Sequence, residues 1–159
     1  MKDLKKVKMG KASRAAGARF EIRVREDLEK RWIVDKWGNN VEFNYPDILG
    51  GKLPIGILVK AKPKFVFNPQ LKRRIPMGMS SGFPDFIAFK TIDIHAEMGE
   101  PIKTHNFTVI GVESKMDGKL DKLEKEKCVW LLKNNIFSKI LIAFKGEKRG
   151  TIEYIEFNR

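Results

Sequence analysis

The chain is poor in the residues that staple or metallate small extracellular domains. Of its 159 residues one is cysteine, Cys128, and two are histidine, His95 and His105. A single cysteine excludes an intramolecular disulfide and fits a reducing, intracellular (cytoplasmic) setting. The histidines fall in an expected loop with no cysteine nearby, which argues against a zinc site. No uncharged apolar run reaches the ~18 residues of a membrane span. No strongly amphipathic membrane-surface helix stands out either, so no membrane partner is expected. The first residues, Met1 to Lys8, are basic without an apolar centre and do not read as a secretory signal. Internal repeats are absent.

Positive charge is what the chain has in excess. It carries 32 Lys and Arg against 20 Asp and Glu, a net charge of +12. A surface of that sign attracts polyanions, nucleic acid foremost. The plainer alternative is a lysine-rich surface that only solvates the protein, as in thermophiles. A hydrophobic content of 42% and a charged content of 33% are those of a globular protein. The length suits a single domain. The expected division is a flexible basic tail over 1–12 and one domain over 13–159.

Periodicity sets the elements. Phe20, Val24 and Leu28 recur every four residues and predict a helix from Ser13, as N-cap, to about Arg31. Glu21 lies on or beside that apolar stripe. It either pairs with Arg25 at i+4 on the surface or leans into a site. Trp32–Trp37 reads as a strand. Residues 38–80 form an irregular basic insertion, dominated by turns, with short strands at Ile55–Val59 and Lys64–Phe67. Within it Lys72, Arg73 and Arg74 form a basic loop cluster, a phosphate contact or a solvated charge run. Strands follow at Phe83–Lys90 and Thr108–Lys115, with a hairpin or longer loop between them. Asp121 and Glu124 predict a capping box opening a helix to about Asn134. Leu120, Leu123, Cys128, Leu131 and Leu132 would supply its buried face. Lys139–Phe144 and Thr151–Phe157 complete a mixed α/β sheet flanked by helices. The strand–helix–strand segment from Glu113 to Lys139 suits a right-handed crossover.

The chemistry concentrates on two strands. Asp85 stands at the entry of one, and Glu113 and Lys115 close the next. Side chains alternate along a strand, so Glu113 and Lys115 share a face. If the strands pair, all three charged groups converge. Two carboxylates and an ammonium group there suggest a divalent-cation site with a lysine beside it. Neither motif is specific alone. With 12 Glu and 23 Lys in the chain, random order gives roughly 2 Glu-x-Lys triplets, and Pro46-Asp47 repeats Pro84-Asp85. Glu113 and Lys115 could be a same-face ion pair, and Asp85 a turn residue. Context adds weight: an apolar strand after Asp85, a capped helix after Lys115, and Glu21 on an upstream helix.

Taken together these residues resemble the PD-(D/E)xK nuclease superfamily, in its archaeal Holliday-junction-resolvase-like and VRR-NUC-like branches. Ala18-Arg19-Phe20-Glu21 through Leu28 and Trp32-Ile33-Val34 look like the family's acid-bearing first helix and strand. Ser80-Ser81-Gly82-Phe83-Pro84-Asp85 is similar to its Ser-Gly-x-Pro-Asp segment, and Val112-Glu113-Ser114-Lys115 to its Glu-x-Lys strand. The likeness covers roughly 17–37 and 80–145. It departs in the long 38–80 connection, in the 28 residues between Asp85 and Glu113, and in lacking the glutamine of the VRR-NUC helix, where Lys125 or Lys127 stands.

The resemblance implies a restriction-endonuclease-like fold and a metal-dependent DNA nuclease, acting on branched or structured DNA. Asp85, Glu113, the Ser114 carbonyl and Glu21 would hold Mg²⁺ or Mn²⁺. Lys115 would position water or neutralise charge, and the product would carry a 5′-phosphate. Arg14, Arg19, Lys72, Arg73, Arg74, Ser80, Ser81 and Lys125 are the expected nucleic-acid contacts. The resolvase likeness leaves room for a homodimer. The alternative is a nucleic-acid-binding protein that keeps the fold without catalysis.

Overall fold

The computed structural model describes residues 4–44, 55–62, 65–68, 70–76, 82–92 and 106–158. Its elements run α1 (Leu4–Glu29), β1 (Ile33–Lys36), β2 (Asn39–Asn44), β3 (Ile55–Lys60), β4 (Phe65–Asn68), β5 (Arg73–Pro76), β6 (Phe86–Ile92), β7 (Asn106–Ser114), α2 (Lys122–Lys133), β8 (Lys139–Lys145) and β9 (Ile152–Glu156). Five strands form the central sheet in the order β1-β6-β7-β8-β9. All neighbours are antiparallel except β7 and β8, which run parallel and are joined through α2. The result is a mixed α/β fold, mostly antiparallel, flanked by two helices.

Strand alternation gives the sheet two apolar faces. Phe86 and Ala88 of β6 and Ile110 and Val112 of β7 meet Phe20, Val24 and Leu28 of α1 in one core cluster. Ile140 and Ile142 of β8 meet Cys128 and Leu131 of α2 in the other, with Phe83, Leu120 and Phe137. The expected α1 stripe is the buried one. Each of its large side chains contributes about 1.5–3 kcal/mol by leaving water. On α2 the expectation fails at Leu123, which is 47% exposed. It precedes Cys128 by five residues, about 140° round the helix from the buried face.

Three further expectations give way. The segment read as a flexible tail over 1–12 is helical from Leu4, so Ser13 lies inside α1 rather than capping it. Lys, Met and Ala favour the helix, and extending a helix is cheaper than nucleating one. Its residues 12–15 nevertheless stay exposed. Within the irregular insertion, β2 pairs with β3 and β4 with β5, each as a separate two-stranded sheet. Arg73 and Arg74 therefore belong to a strand, and only Lys72 remains in the turn. β2 (NNVEFN) lacks the apolar alternation that would announce it, since Val41 alone is buried there. Its hydrogen-bonded partner makes it a strand. His95, His105, Met77, Met79, Ser80 and Ser81 lie outside the described residues. Among the described residues no helix is long and apolar enough to cross a membrane.

Candidate functional site

The site begins with the pairing of β6 and β7. Phe86 stands opposite Val112, which puts Asp85 and Glu113 side by side one step beyond. Two glycines allow this close packing. A Cβ on Gly111 would stand 2.8 Å from Pro84 Cγ and 3.1 Å from Phe137, so the Pro84 ring that leads into Asp85 rests on bare backbone. A Cβ on Gly82 would strike the carbonyl oxygens of Asn39 and Trp37 at 2.2 and 2.3 Å. There the chain docks through the bonds from Gly82 N–H to the Trp37 carbonyl and from Phe83 N–H to the Asn39 carbonyl.

Both acids are buried: Asp85 is 6% exposed and Glu113 5%. The Asp85 N–H donates to Glu113 Oε2 at 3.1 Å, and the Ser114 N–H donates to Asp85 Oδ2 at 2.9 Å. Burial pushes the Asp85 carboxyl up to about 6; the Ser114 N–H opposes the rise and the charge of Glu21 adds to it. Burial also pushes Glu113 up to about 8, with the charge of Asp85 next and Lys115 opposing. Two buried carboxylates side by side favour whatever positive charge or proton can reach them.

Lys115 lies just past the end of β7, with Nζ 3.3 Å from Glu113 Oε1 and hydrogen-bonded to Glu124 Oε1. Burial pulls this ammonium group down, but the bonds and charges of Glu124 and Glu113 outweigh it and its pKa is raised. It is a fixed cation. Glu124 has two tasks. It is the N3 residue of the expected capping box, accepting the Asp121 N–H at 2.9 Å while its own N–H reaches Asp121 Oδ1 at 2.8 Å. Its other oxygen holds Lys115. Sequence reading took it for a cap alone. Its place four residues before the buried Cys128, on the same helix face, was the available signal.

Glu21 reaches the same cleft from α1. The i+4 pairing with Arg25 does not form: Arg25 bonds Glu29 at 2.7 Å, and Glu21 Oε2 accepts from Lys36 Nζ at 3.1 Å. Glu21, Asp85, Glu113, Ser114, Lys115 and Glu124 all line one cleft of about 330 Å³, and Asn40 and Lys127 close its side. Lys127 lies 5.4 Å over the Phe83 ring. Of the two lysines that stand at the missing glutamine, Lys127 faces the cleft, whereas Lys125 is exposed and does not line it.

The remaining expected contacts lie elsewhere. Arg14 and Arg19 are exposed on α1, and Arg14 Nε donates to the Gly10 carbonyl at 3.2 Å. Lys72, Arg73 and Arg74 are exposed on the β4–β5 hairpin. A larger cavity of about 670 Å³ lies by Phe107 and Val109, toward the start of β7 and away from Glu113. It is lined by apolar, Ser and Asn side chains and offers no acid or base. Cys128 is buried, and its thiol is pushed up to about 12 by burial and by the charges of Glu113 and Glu124. That suits a core residue and not a nucleophile.

As placed, no three His, Cys, Asp or Glu side chains among the described residues are grouped closely enough to hold one ion. The two neighbouring carboxylates are nonetheless oxygen donors of the kind hard divalent cations take, and Glu21 on the same cleft is a third. Comparison with protein-family models, with curated proteins and with solved structures returned no match.

Proposed function

We propose that the protein is a metal-dependent DNA nuclease of the PD-(D/E)xK kind, hydrolysing phosphodiester bonds, with branched or structured DNA the leading substrate. The observation that carries the reading is the pair of buried carboxylates, Asp85 and Glu113, with Lys115 Nζ 3.3 Å from the second. A restriction-endonuclease-like fold is the finer reading of the architecture. It is supported by an acid at the entry of β6, an acid at the end of the adjacent β7, and a parallel strand beyond α2. Asp85, Glu113 and the Ser114 carbonyl would hold Mg²⁺ or Mn²⁺, with Glu21 as a further carboxylate. When bound, such an ion supplies positive charge to the phosphate oxygens and acidifies water.

The chain's own residues do the rest. Glu113 and Glu124 keep Lys115 protonated and aimed, so that it faces the charge developing on phosphate or orients the attacking water. Lys127 adds a second cation at the rim for the phosphate backbone. Arg14 and Arg19 on the exposed part of α1 extend the positive surface. Once deprotonated, Asp85 and Glu113 favour a cation, since an ion offsets the charge that burial opposes; with both pKa values raised, the ion takes the place of protons and is favoured as pH rises.

The test is incubation of purified protein with supercoiled, linear and four-way-junction DNA in Mg²⁺ and in EDTA. Cutting in Mg²⁺ alone supports the reading; intact DNA in every lane rejects it. One observation favours a second reading, a nucleic-acid-binding protein without catalysis. Glu21 is held by Lys36, and Glu21, Asp85 and Glu113 are not gathered into one ligand set. Under that reading DNA is bound in a salt-sensitive manner and left whole.

A further inference from the structure

No described residue of the β4–β5 hairpin lines the carboxylate cleft. Its strands pair with each other and, among the described residues, with no other strand. A two-stranded hairpin with no sheet behind it is marginal on its own, and its apolar side chains gain by being covered. Phe65 and Phe67 are instead 54% and 59% exposed. Two apart on one strand, they share a face. Arg74 is the cross-strand partner of Phe67 and shares it too.

The turn is pinned. Asn68 Oδ1 accepts the N–H groups of Gln70 and Leu71 at 2.9 and 3.2 Å, and Lys72 closes it with φ 47°. Lys72, Arg73 and Arg74 are all exposed. Between Asp47 and Asp85 the chain has no acid and seven Lys or Arg.

Exposed aromatic faces beside fixed cations are the chemistry that binds unpaired nucleotides, whose bases stack while their phosphates pair with Lys and Arg. We propose that the β4–β5 hairpin holds unpaired nucleotides of the substrate. Bases lie on Phe65 and Phe67 beside Arg74, and Lys72 and Arg73 take the phosphates. The inference rests on nucleic acid being the substrate, and it makes the structural preference specific: a substrate with unpaired bases. A lipid surface is the lesser fit. A hairpin that enters lipid carries its aromatics at the tip and its cations behind, whereas here Lys72 is at the tip and Phe65 is set back along the strand.

The experiment is fluorescence anisotropy in EDTA with a labelled oligo-dT of about 20 nucleotides, an oligo-U of equal length, a duplex of equal length, and anionic vesicles. Wild type should bind oligo-dT. The Phe65→Leu/Phe67→Leu double variant should bind it at least roughly tenfold more weakly and bind duplex unchanged, while Phe65→Tyr/Phe67→Tyr restores oligo-dT binding. Circular dichroism checks that each variant is folded. Replacing Lys72, Arg73 and Arg74 by Ala should weaken both nucleic acids and flatten the salt dependence. Oligo-U bound tighter than oligo-dT makes the strand RNA and keeps the hairpin's role.

The proposal is overturned if the Leu variant binds oligo-dT like wild type, if duplex binding falls as far, if Tyr fails to restore it, or if the protein takes vesicles and not oligonucleotides. EDTA separates the two readings. Hairpin-dependent binding by a chain that cuts nothing in Mg²⁺ sinks the nuclease reading alone; cleavage without such binding sinks this one alone.

Discussion

Asp85 and Glu113 are held by each other's strands. The Asp85 N–H donates to Glu113 Oε2 at 3.1 Å, and the N–H next to Glu113, that of Ser114, donates to Asp85 Oδ2 at 2.9 Å. The arrangement fixes two acids where burial opposes their charge, and a pH dependence follows from it.

Asp85 titrates at about 6 and Glu113 at about 8 in the folded chain, both raised by burial first. The folded state therefore binds their protons more tightly than the unfolded chain does. This contribution to stability is complete below the unfolded carboxyl range, about pH 4, and is lost as pH rises through about 6 and then about 8. In EDTA the Tm should fall from about pH 5 to about pH 8, and Asp85→Asn should shallow the fall. Mg²⁺ or Mn²⁺ should raise Tm more at the upper pH than at the lower. Thermal melts across that range check it, and a metal-free Tm that climbs with pH speaks against it.

Glu124 separates capping from aiming. Glu124→Gln keeps a residue able to complete the capping box, so urea unfolding should change by only a few tenths of a kcal/mol, and cleavage should fall because Lys115 loses its charged partner. Glu124→Ala should also lose about 0.5–2 kcal/mol of stability. Equal activity in wild type and the Gln variant would leave Glu124 as a cap only.

Two glycine substitutions should move stability in opposite directions. Gly111→Ala forces a methyl against Pro84 and Phe137 and should cost about 1–3 kcal/mol. Gly17→Ala, on α1 with nothing within 4 Å of its Cβ position, should gain up to about 1 kcal/mol from helix propensity. Denaturant midpoints of both variants decide it.

Much of this site was legible because its signals are local. Alternation along β7 put Glu113 and Lys115 on one face, and apolar strands around Asp85 and Glu113 made their pairing a natural expectation. The Phe20, Val24 and Leu28 stripe and the Asp121–Glu124 box needed only helical spacing. What escaped depends on partners distant in sequence. Glu21 had two readings on paper, an ion pair with Arg25 or a place in the site; Glu29 takes Arg25, and β1 brings Lys36 across to Glu21. The bond from Glu124 to Lys115 was hidden behind its capping role. β2 and β5 are strands because β3 and β4 pair with them, and neither carries the alternation that marks a strand by itself. Residues 12–15 of α1 are exposed, so no apolar stripe marked the helix ahead of Phe20.

The most direct measurement sets Mn²⁺ binding beside single-turnover cleavage in three proteins: wild type, Asp85→Asn and Lys115→Ala. Calorimetry in the absence of DNA gives the first quantity, and a labelled four-way junction with excess protein gives the second. The account predicts that Asp85→Asn loses both ion binding and cleavage. Lys115→Ala should keep the ion and cut at least roughly 100-fold more slowly, the scale of losing one preorganised charge. A Lys115→Ala protein that cuts at the wild-type rate, or an Asp85→Asn protein that binds Mn²⁺ as wild type does, contradicts it.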